Sequence, residues 1–319
     1  MRNKLFLPLI LTILLTSCSQ STKVIESKFF CFDTYVEVDL YGGSKKDAKN
    51  IEDILVKYDK LTDNYCARDV NNVYTLNHTN DEIEIDTGLF WVLNYALGVK
   101  GSNGAQYFDP LCGSLAKLWK DAISKNQVLD QATIDAELIK KNSTTLTIKD
   151  LEYAQRIGDA EIDLGGIAKG YTLDVIKSYL KEKNVSKYII NAGSSSILLG
   201  EKTTKDGLFN IGLKDIKGAY IKAKNCFVST SGISEQFTEI DGVKYSHIVN
   251  PITGNTVCKH DAVIVISDQG YVGDALSTSM MMNTVDEIKQ IETEQGVKTI
   301  VIDNNKITYK HNEIEVYNH

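Results

Sequence analysis

The chain has 319 residues, with 35 Lys and Arg against 42 Asp and Glu, for a formal charge of -7. That acidic balance argues against nucleic acid as a partner and against electrostatic adhesion to a membrane surface. Its length permits two domains, but only 3 prolines occur and no repeat or low-complexity tract interrupts the chain, which favours one domain with two lobes.

The first residues, MRNKLFLPLILTILLTSC, carry Arg2 and Lys4, an apolar run from Leu5 to Leu15, and then Thr16-Ser17-Cys18. The run is too short to span a bilayer, so residues 1–17 read as a secretory signal. Its end resembles the bacterial lipobox, which implies a lipid on Cys18 and a protein anchored on the extracytoplasmic face of the cell membrane. A plain signal peptide with a chance cysteine is the other reading. Loss of residues 1–17 removes two positive charges, so the mature charge is about -9. The remaining cysteines, Cys31, Cys66, Cys112, Cys226 and Cys258, are widely spaced without a C-x-x-C pair and read as small buried residues. Residues 18–28 are expected to form a tether and residues 29–319 the folded domain.

In chain order, FFCFDTYVEVDLYG predicts a strand from its β-branched and aromatic content. Ser44 then caps a helix whose Ala48, Ile51, Ile54, Leu55, Tyr58 and Leu61 make one stripe. Further helices are predicted over 87–99, 112–124, 133–141, 167–183, 271–282 and 284–294. Strands are predicted over 145–149, 187–191, 196–200, 219–230, 261–267, 297–303 and 306–310, with a turn at Asp303-Asn304-Asn305. This mixture predicts an α+β fold with mostly antiparallel sheets and packed helices. A dinucleotide-binding reading fails because no G-x-G-x-x-G follows a first strand, and a Walker A loop is also absent.

Chemistry collects in five stretches. EIDLGGIAKGYTLDVIKSYL has a helical apolar face at Ile167, Tyr171, Val175, Ile176 and Tyr179, yet it opens on Asp163, two glycines and Lys169. Glycines at a helix start cost about 1 kcal/mol each when they lie inside it. They suit a site where phosphate meets unpaired N–H groups and Lys169 adds a cation, or they make a strand-to-helix turn with a surface lysine. GAQYFDPLCGSLAKLW places Asp109-Pro110 after two aromatics, and FVSTSGISEQF strings Ser229, Thr230, Ser231 and Gly232 at a strand end. YSHIVNPITG runs His247 into an Asn-Pro turn, and GYVGDALSTSMMM opens a helix holding Asp274, Ser277 and Thr278. Asp274 and Thr278, at i and i+4, share a helix face and can offer a carboxylate and a hydroxyl to one hard cation such as Mg²⁺. An N-terminal Asp favouring the helix dipole is the alternative there. His78, His260, His311 and His319 stand without such company and read as surface residues, while Met280–Met282 and Trp119 read as core.

Taken together and in order, DLGGIAKGYTLD, STSG, HIVNPITG and DALSTS resemble the FAD:protein FMN transferases, the ApbE family, whose patterns are D-x-x-x-x-x-K-G, H-I-x-[DN]-P-x-T-G and D-[AG]-x-x-T. FDTYVEVDL and YFDP extend the resemblance over residues 29–283. It implies that the chain binds FAD and Mg²⁺, cuts the pyrophosphate, releases AMP and attaches FMN through a phosphoester to a Thr or Ser of an acceptor protein. It carries onto Asp163 and Lys169 as FAD contacts, onto Phe32, Tyr107, Phe108 and Asp109 as flavin or adenine contacts, and onto His247 and Ile248 at the opposite wall. Gly166 through its carbonyl, Asp274, Thr278 and the Ser277 backbone are the implied Mg²⁺ ligands, with His247 or Asp274 as the base. Phe32-Asp33-Thr34 replaces the family's Met-Gly-Thr. Asn64 stands where many members have tyrosine, and some relatives hydrolyse FAD to FMN and AMP. A lipid-anchored solute-binding protein is the competing class, and it would need no metal ligands.

Overall fold

The computed structural model describes residues 24–318. The expected signal and Cys18 lie outside the described residues, as does His319. No helix among the described residues is long and apolar enough to cross a membrane.

Eight strands make one antiparallel sheet whose spatial order follows the chain: β1 Val24–Cys31, β2 Thr34–Tyr41, β3 Tyr188–Ala192, β4 Ser196–Leu199, β5 Phe227–Gly232, β6 Ala262–Ser267, β7 Lys298–Asp303 and β8 Lys306–Lys310. Period-two alternation gives the sheet two apolar faces. In β6, Val263 and Val265 join the helical side while Ala262 and Ile264 join the other; in β7, Val301 and the pair Ile300 and Ile302 divide the same way. The second face is covered by a three-stranded sheet of Phe209–Gly212, Ala219–Ala223 and Val316–Asn318. The α+β, mostly antiparallel expectation is met.

Helices α1 Lys45–Thr62, α2 Val73–Asn77, α3 Thr87–Val99, α4 Gly113–Ser124, α5 Gln131–Ser143 and α6 Ala168–Glu182 are all inserted between β2 and β3. Helices α7 Gly270–Met280 and α8 Val285–Gln295 fall between β6 and β7. Helix α1 starts where expected, because Ser44 and Asp47 form a reciprocal capping box. Its Ile51 and Leu55 pack with Leu173 and Ile176 of α6 over Val36 and Val38 of β2. That pairing fixes the start of α6 against the sheet.

Several sequence expectations need correction. FFCFDTYVEVDLYG is a hairpin rather than one strand, since Phe32 and Asp33 both take positive φ, of 53° and 55°, between β1 and β2. Two consecutive left-handed residues make the turn that matches strand twist. Neither residue is glycine or asparagine, so no turn signal marks the position. The Phe32 N–H donates to Asp59 Oδ1 at 3.0 Å, which holds the tip. The expected strand 219–230 is likewise broken at Asn225, where φ is 53°. Strand β1 begins at Val24, inside the segment expected to be a tether. His260 is buried rather than on the surface, with Nδ1 at 3.2 Å from Asp303 Oδ1 and Nε2 at 2.9 Å from the Asn283 carbonyl. Among the cysteines, Cys66 is exposed. Trp119 and Met280–Met282 are core, as expected.

Candidate functional site

One cavity of about 1180 Å³ is lined by Phe32, Asn64, Tyr107, Phe108, Asp109, Asp163, Gly166, Lys169, His247, Ile248, Asp274, Ser277 and Thr278. Every described residue singled out from the sequence for a ligand, metal or catalytic role therefore faces the same space. Its walls include the β1–β2 hairpin tip, residues 62–68 from the end of α1, the segment 107–112 ahead of α4, the start of α6, residues 247–249 and the inner face of α7.

The glycine loop is organised by Asp163. Its Oδ1 accepts the Gly165 N–H at 2.7 Å, and its own N–H donates to the Pro110 carbonyl at 2.8 Å. The loop is thus tied to the wall that carries Tyr107, Phe108 and Asp109. A Cβ on Gly166 would sit 3.2 Å from the Phe108 ring and 3.3 Å from Thr278 Oγ1, so glycine lets this backbone lie against both. The turn reading of these glycines and the ligand reading are compatible here: the turn is what exposes the backbone to the cavity. Lys169 reaches the cavity with no hydrogen bond to its ammonium among the described residues, and its charge acts on Asp274.

Asp274 is 6% exposed. Its Oδ2 accepts the Gly170 N–H at 2.6 Å, and its Oδ1 accepts the hydroxyls of Ser196 at 2.9 Å and Ser229 at 2.7 Å. Burial pushes its pKa up, while Lys169, the two serines and the Gly170 N–H oppose that shift. The carboxylate therefore caps α6, whose own N-cap residue, Ile167, supplies no side-chain bond. One turn on, Thr278 Oγ1 and Ser277 Oγ each donate to the Asp274 carbonyl at 3.0 Å, and Ser231 Oγ lies 2.9 Å from Ser277 Oγ. The result is a patch of hard oxygen donors, one of them a buried carboxylate. No group of three or more His, Cys, Asp or Glu suited to a metal ion occurs among the described residues. A metal bound here would rest on one carboxylate, hydroxyls and backbone carbonyl.

Across the cavity, His247 Nδ1 lies 3.3 Å from the Gln236 carbonyl, with Ile248 buried beside it. Asp109 lines the cavity and is also engaged within the protein: Lys100 at 3.1 Å and Lys141 at 3.4 Å pair with its carboxylate, and Oδ1 accepts the Leu111 N–H at 3.0 Å. It holds the wall. Asn64 is 5% exposed, and its Nδ2 is buried without a partner in the protein. Such a donor is costly unless water or a ligand meets it. Burial pushes the wall thiols Cys31 and Cys112 up to about 12, so neither is a nucleophile near neutral pH. The sequence reading missed Ser196, whose only signal was a polar run, Gly193 to Ser196, leading into an apolar strand.

The sequence pattern of the ApbE family matches residues 32–301. A protein of Rhodobacter capsulatus named FAD:protein FMN transferase is 23% identical over 289 residues, covering 87% of this chain and 55% of its own length. One of Klebsiella pneumoniae with the same name is 30% identical over 256 residues, covering 75% of this chain and 76% of the relative. The chain thus spans little more than half of the first relative and three quarters of the second. Among solved structures, the ApbE protein of Thermotoga maritima superposes with a TM-score of 0.74 at 23% identity, over 92% of this chain and 96% of that one. Flavin transferase ApbE of Vibrio cholerae gives 0.72 at 19% identity, over 93% and 97%. These two likenesses establish the fold.

Proposed function

The chain belongs to the ApbE family, and from that premise we propose that it is an FAD:protein FMN transferase dependent on Mg²⁺, which releases AMP and joins FMN to a Thr or Ser of an acceptor protein. The observation that carries this reading is the convergence of the Lys169 ammonium, the glycine-loop backbone and the Asp274–Thr278 oxygen patch on one cavity. A neutral-solute binder has no use for a buried carboxylate beside an ammonium and a ring of hydroxyls.

In the transfer, the acceptor hydroxyl oxygen bonds to the FMN-side phosphorus, the bond from that phosphorus to the bridging oxygen breaks, and AMP leaves with the electron pair. Negative charge grows on phosphate oxygens, where oriented donors and cations lower the barrier. Lys169 supplies a cation, and Gly165 and Gly166 leave the backbone open to close approach. The residues present fit Mg²⁺: Asp274, Thr278 and the Gly166 carbonyl are hard oxygen donors, and the missing Gly166 side chain leaves Thr278 Oγ1 uncovered. Bound there, the ion would neutralise pyrophosphate charge. The hydroxyl proton must go to a base. Both Asp274 carboxylate oxygens already accept hydrogen bonds from Gly170, Ser196 and Ser229, which leaves His247 as the better acceptor.

Asn64 supports a second reading, Mg²⁺-dependent FAD pyrophosphatase, because its unpartnered Nδ2 could orient water at the same wall. One experiment separates these readings. The protein is loaded with FAD in EDTA, Mg²⁺ and secreted proteins are added, and the products are examined by mass spectrometry. An FMN adduct on an acceptor supports the transferase, free FMN and AMP alone support the pyrophosphatase, and intact FAD refutes both. The lipobox-like run supports an extracytoplasmic, lipid-anchored location through Cys18. Cys18→Ala should release the folded domain from membranes or block processing, and unchanged membrane partition refutes the anchor.

A further inference from the structure

Helices α6 and α7 cap each other. Just as Asp274 of α7 accepts the Gly170 N–H in the first turn of α6, Asp174 of α6 accepts N–H groups in the first turn of α7. Asp174 Oδ1 takes the Gly270 N–H at 2.9 Å and Oδ2 the Tyr271 N–H at 2.9 Å. Neither helix has a cap of its own: Ile167 and Gln269, the two N-cap residues, make no side-chain cap bond. Between the two carboxylates the backbones touch, because a Cβ on Gly170 would lie 2.2 Å from the Gly270 carbonyl oxygen and one on Gly270 2.3 Å from that of Gly170. Lys177 Nζ adds a bond to the Asp268 carbonyl at 2.9 Å on the same side.

We infer that Asp174 is a positioning residue for the site, fixing the start of α7 on α6 and so setting where Asp274 stands relative to Gly170 and Lys169. Four residues separate Gly170 from Asp174 on α6 and four separate Gly270 from Asp274 on α7, so the two bridges lie about one helical turn apart, on either side of the glycine contact. Two bridges fix both the separation and the rotation of the pair; one bridge fixes only the separation. A helix end needs its N–H groups satisfied, but a local cap would do that without joining the helices. Partners supplied by the neighbouring helix join capping to placement. Asp174 does not line the cavity, so its influence on chemistry must pass through this joint.

The test compares wild type, Asp174→Asn, and the double variant Asp174→Asn with Gln269→Asp, which gives α7 a local cap at an extended N-cap position without restoring the bridge. Amide exchange at Gly170 is read in the protein without ligands. In both variants it should quicken at least about tenfold, although the Asp174 side chain makes no bond to Gly170, since loss of one bridge loosens the other. With FAD and Mg²⁺, kcat should fall at least about tenfold while KM for FAD stays within about twofold, because a small misplacement of reacting groups costs turnover before binding. Recovery of both Gly170 protection and kcat in the double variant would show that Asp174 serves only as a cap and overturn the inference. Unchanged Gly170 exchange in Asp174→Asn would also overturn it. The kinetic arm rests on the transferase reading. An inactive wild type would refute that reading, and the exchange arm would still decide the inference.

Discussion

Replacing Asp274 by Asn tests the chemical centre with little change in shape. In Asp274→Asn the amide oxygen can still accept the Ser196 and Ser229 hydroxyls, but the amide nitrogen faces the Gly170 N–H. Leaving that N–H without an acceptor costs about 1–3 kcal/mol. Against this, the variant no longer buries a charge, and burial is the largest influence on the Asp274 carboxyl. The two terms oppose each other, so the melting temperature of the ligand-free protein should shift by no more than about 2 °C, the equivalent of about 1 kcal/mol in a domain of this size. Turnover has no such compensation. In the proposed site Asp274 is the anionic ligand, and its loss should lower FMN transfer at least about 100-fold, or about 2.7 kcal/mol of barrier. Thr278→Ala should cost less, because a neutral hydroxyl holds a hard cation more weakly than a carboxylate. The assay titrates Mg²⁺ against FMN transfer in wild type and variant, with FAD binding measured separately in EDTA and expected to persist. Equal activity at equal, limiting Mg²⁺ would remove Asp274 from the metal site and with it the main support for the metal.

Lys169→Ala should weaken FAD affinity or turnover by about tenfold or more, with only a modest loss of ligand-free stability, since no hydrogen bond in the described fold depends on the ammonium although its charge favours the buried Asp274 carboxylate; a large stability loss with normal turnover would refute the role. Gly170→Ala should destabilise the fold by about 2–3 kcal/mol in denaturant titration, since its Cβ would press within 2.2 Å of the Gly270 carbonyl oxygen; a wild-type midpoint would contradict the close helix contact. Burial holds the Asp174 carboxyl at about 6, above the ordinary value near 3.9. Folding therefore favours its protonated form, and its contribution to stability is fully present below about pH 4 and lost as pH rises through about 6, by up to about 3 kcal/mol. Asp174→Asn should flatten that part of the stability profile, and an unaltered difference between pH 4 and pH 6 would show that Asp174 is not the group responsible.

The site was legible in sequence wherever its parts are local. The i, i+4 spacing of Asp274 and Thr278 put both on one helix face, and the glycines before Lys169 marked a backbone left open. What the sequence could not show is which partners those groups take from elsewhere in the fold. Ser196 and Ser229 meet on Asp274 only because β4 and β5 pair antiparallel, with Ser229 opposite Ser196 in the register. Asp109 follows two aromatics in the sequence, but nothing there shows that Lys100 and Lys141 arrive from the ends of two separate helices to pair with it. The hairpin at Phe32-Asp33 was hidden because alternation continues on both sides of a turn without glycine. His260 has no motif company in the sequence, and its partners Asp303 and Asn283 come from opposite ends of the α8–β7 unit.

The same distinction explains why the helix start with two glycines and a lysine is stable at all. Taken alone, α6 has Gly170 in its first turn and a poor N-cap, and α7 opens with a glycine behind an uncapped glutamine. Each would fray in isolation. Their first turns are held by carboxylates from the other helix, so the features that weaken each one separately allow the backbones to touch and the caps to be exchanged. A bulky residue at either glycine would separate the helices, and a good local cap would make the exchanged one unnecessary. The poor local sequence is thus the condition for a rigid joint, and Asp274 contributes one of its two bridges while facing the cavity with Lys169.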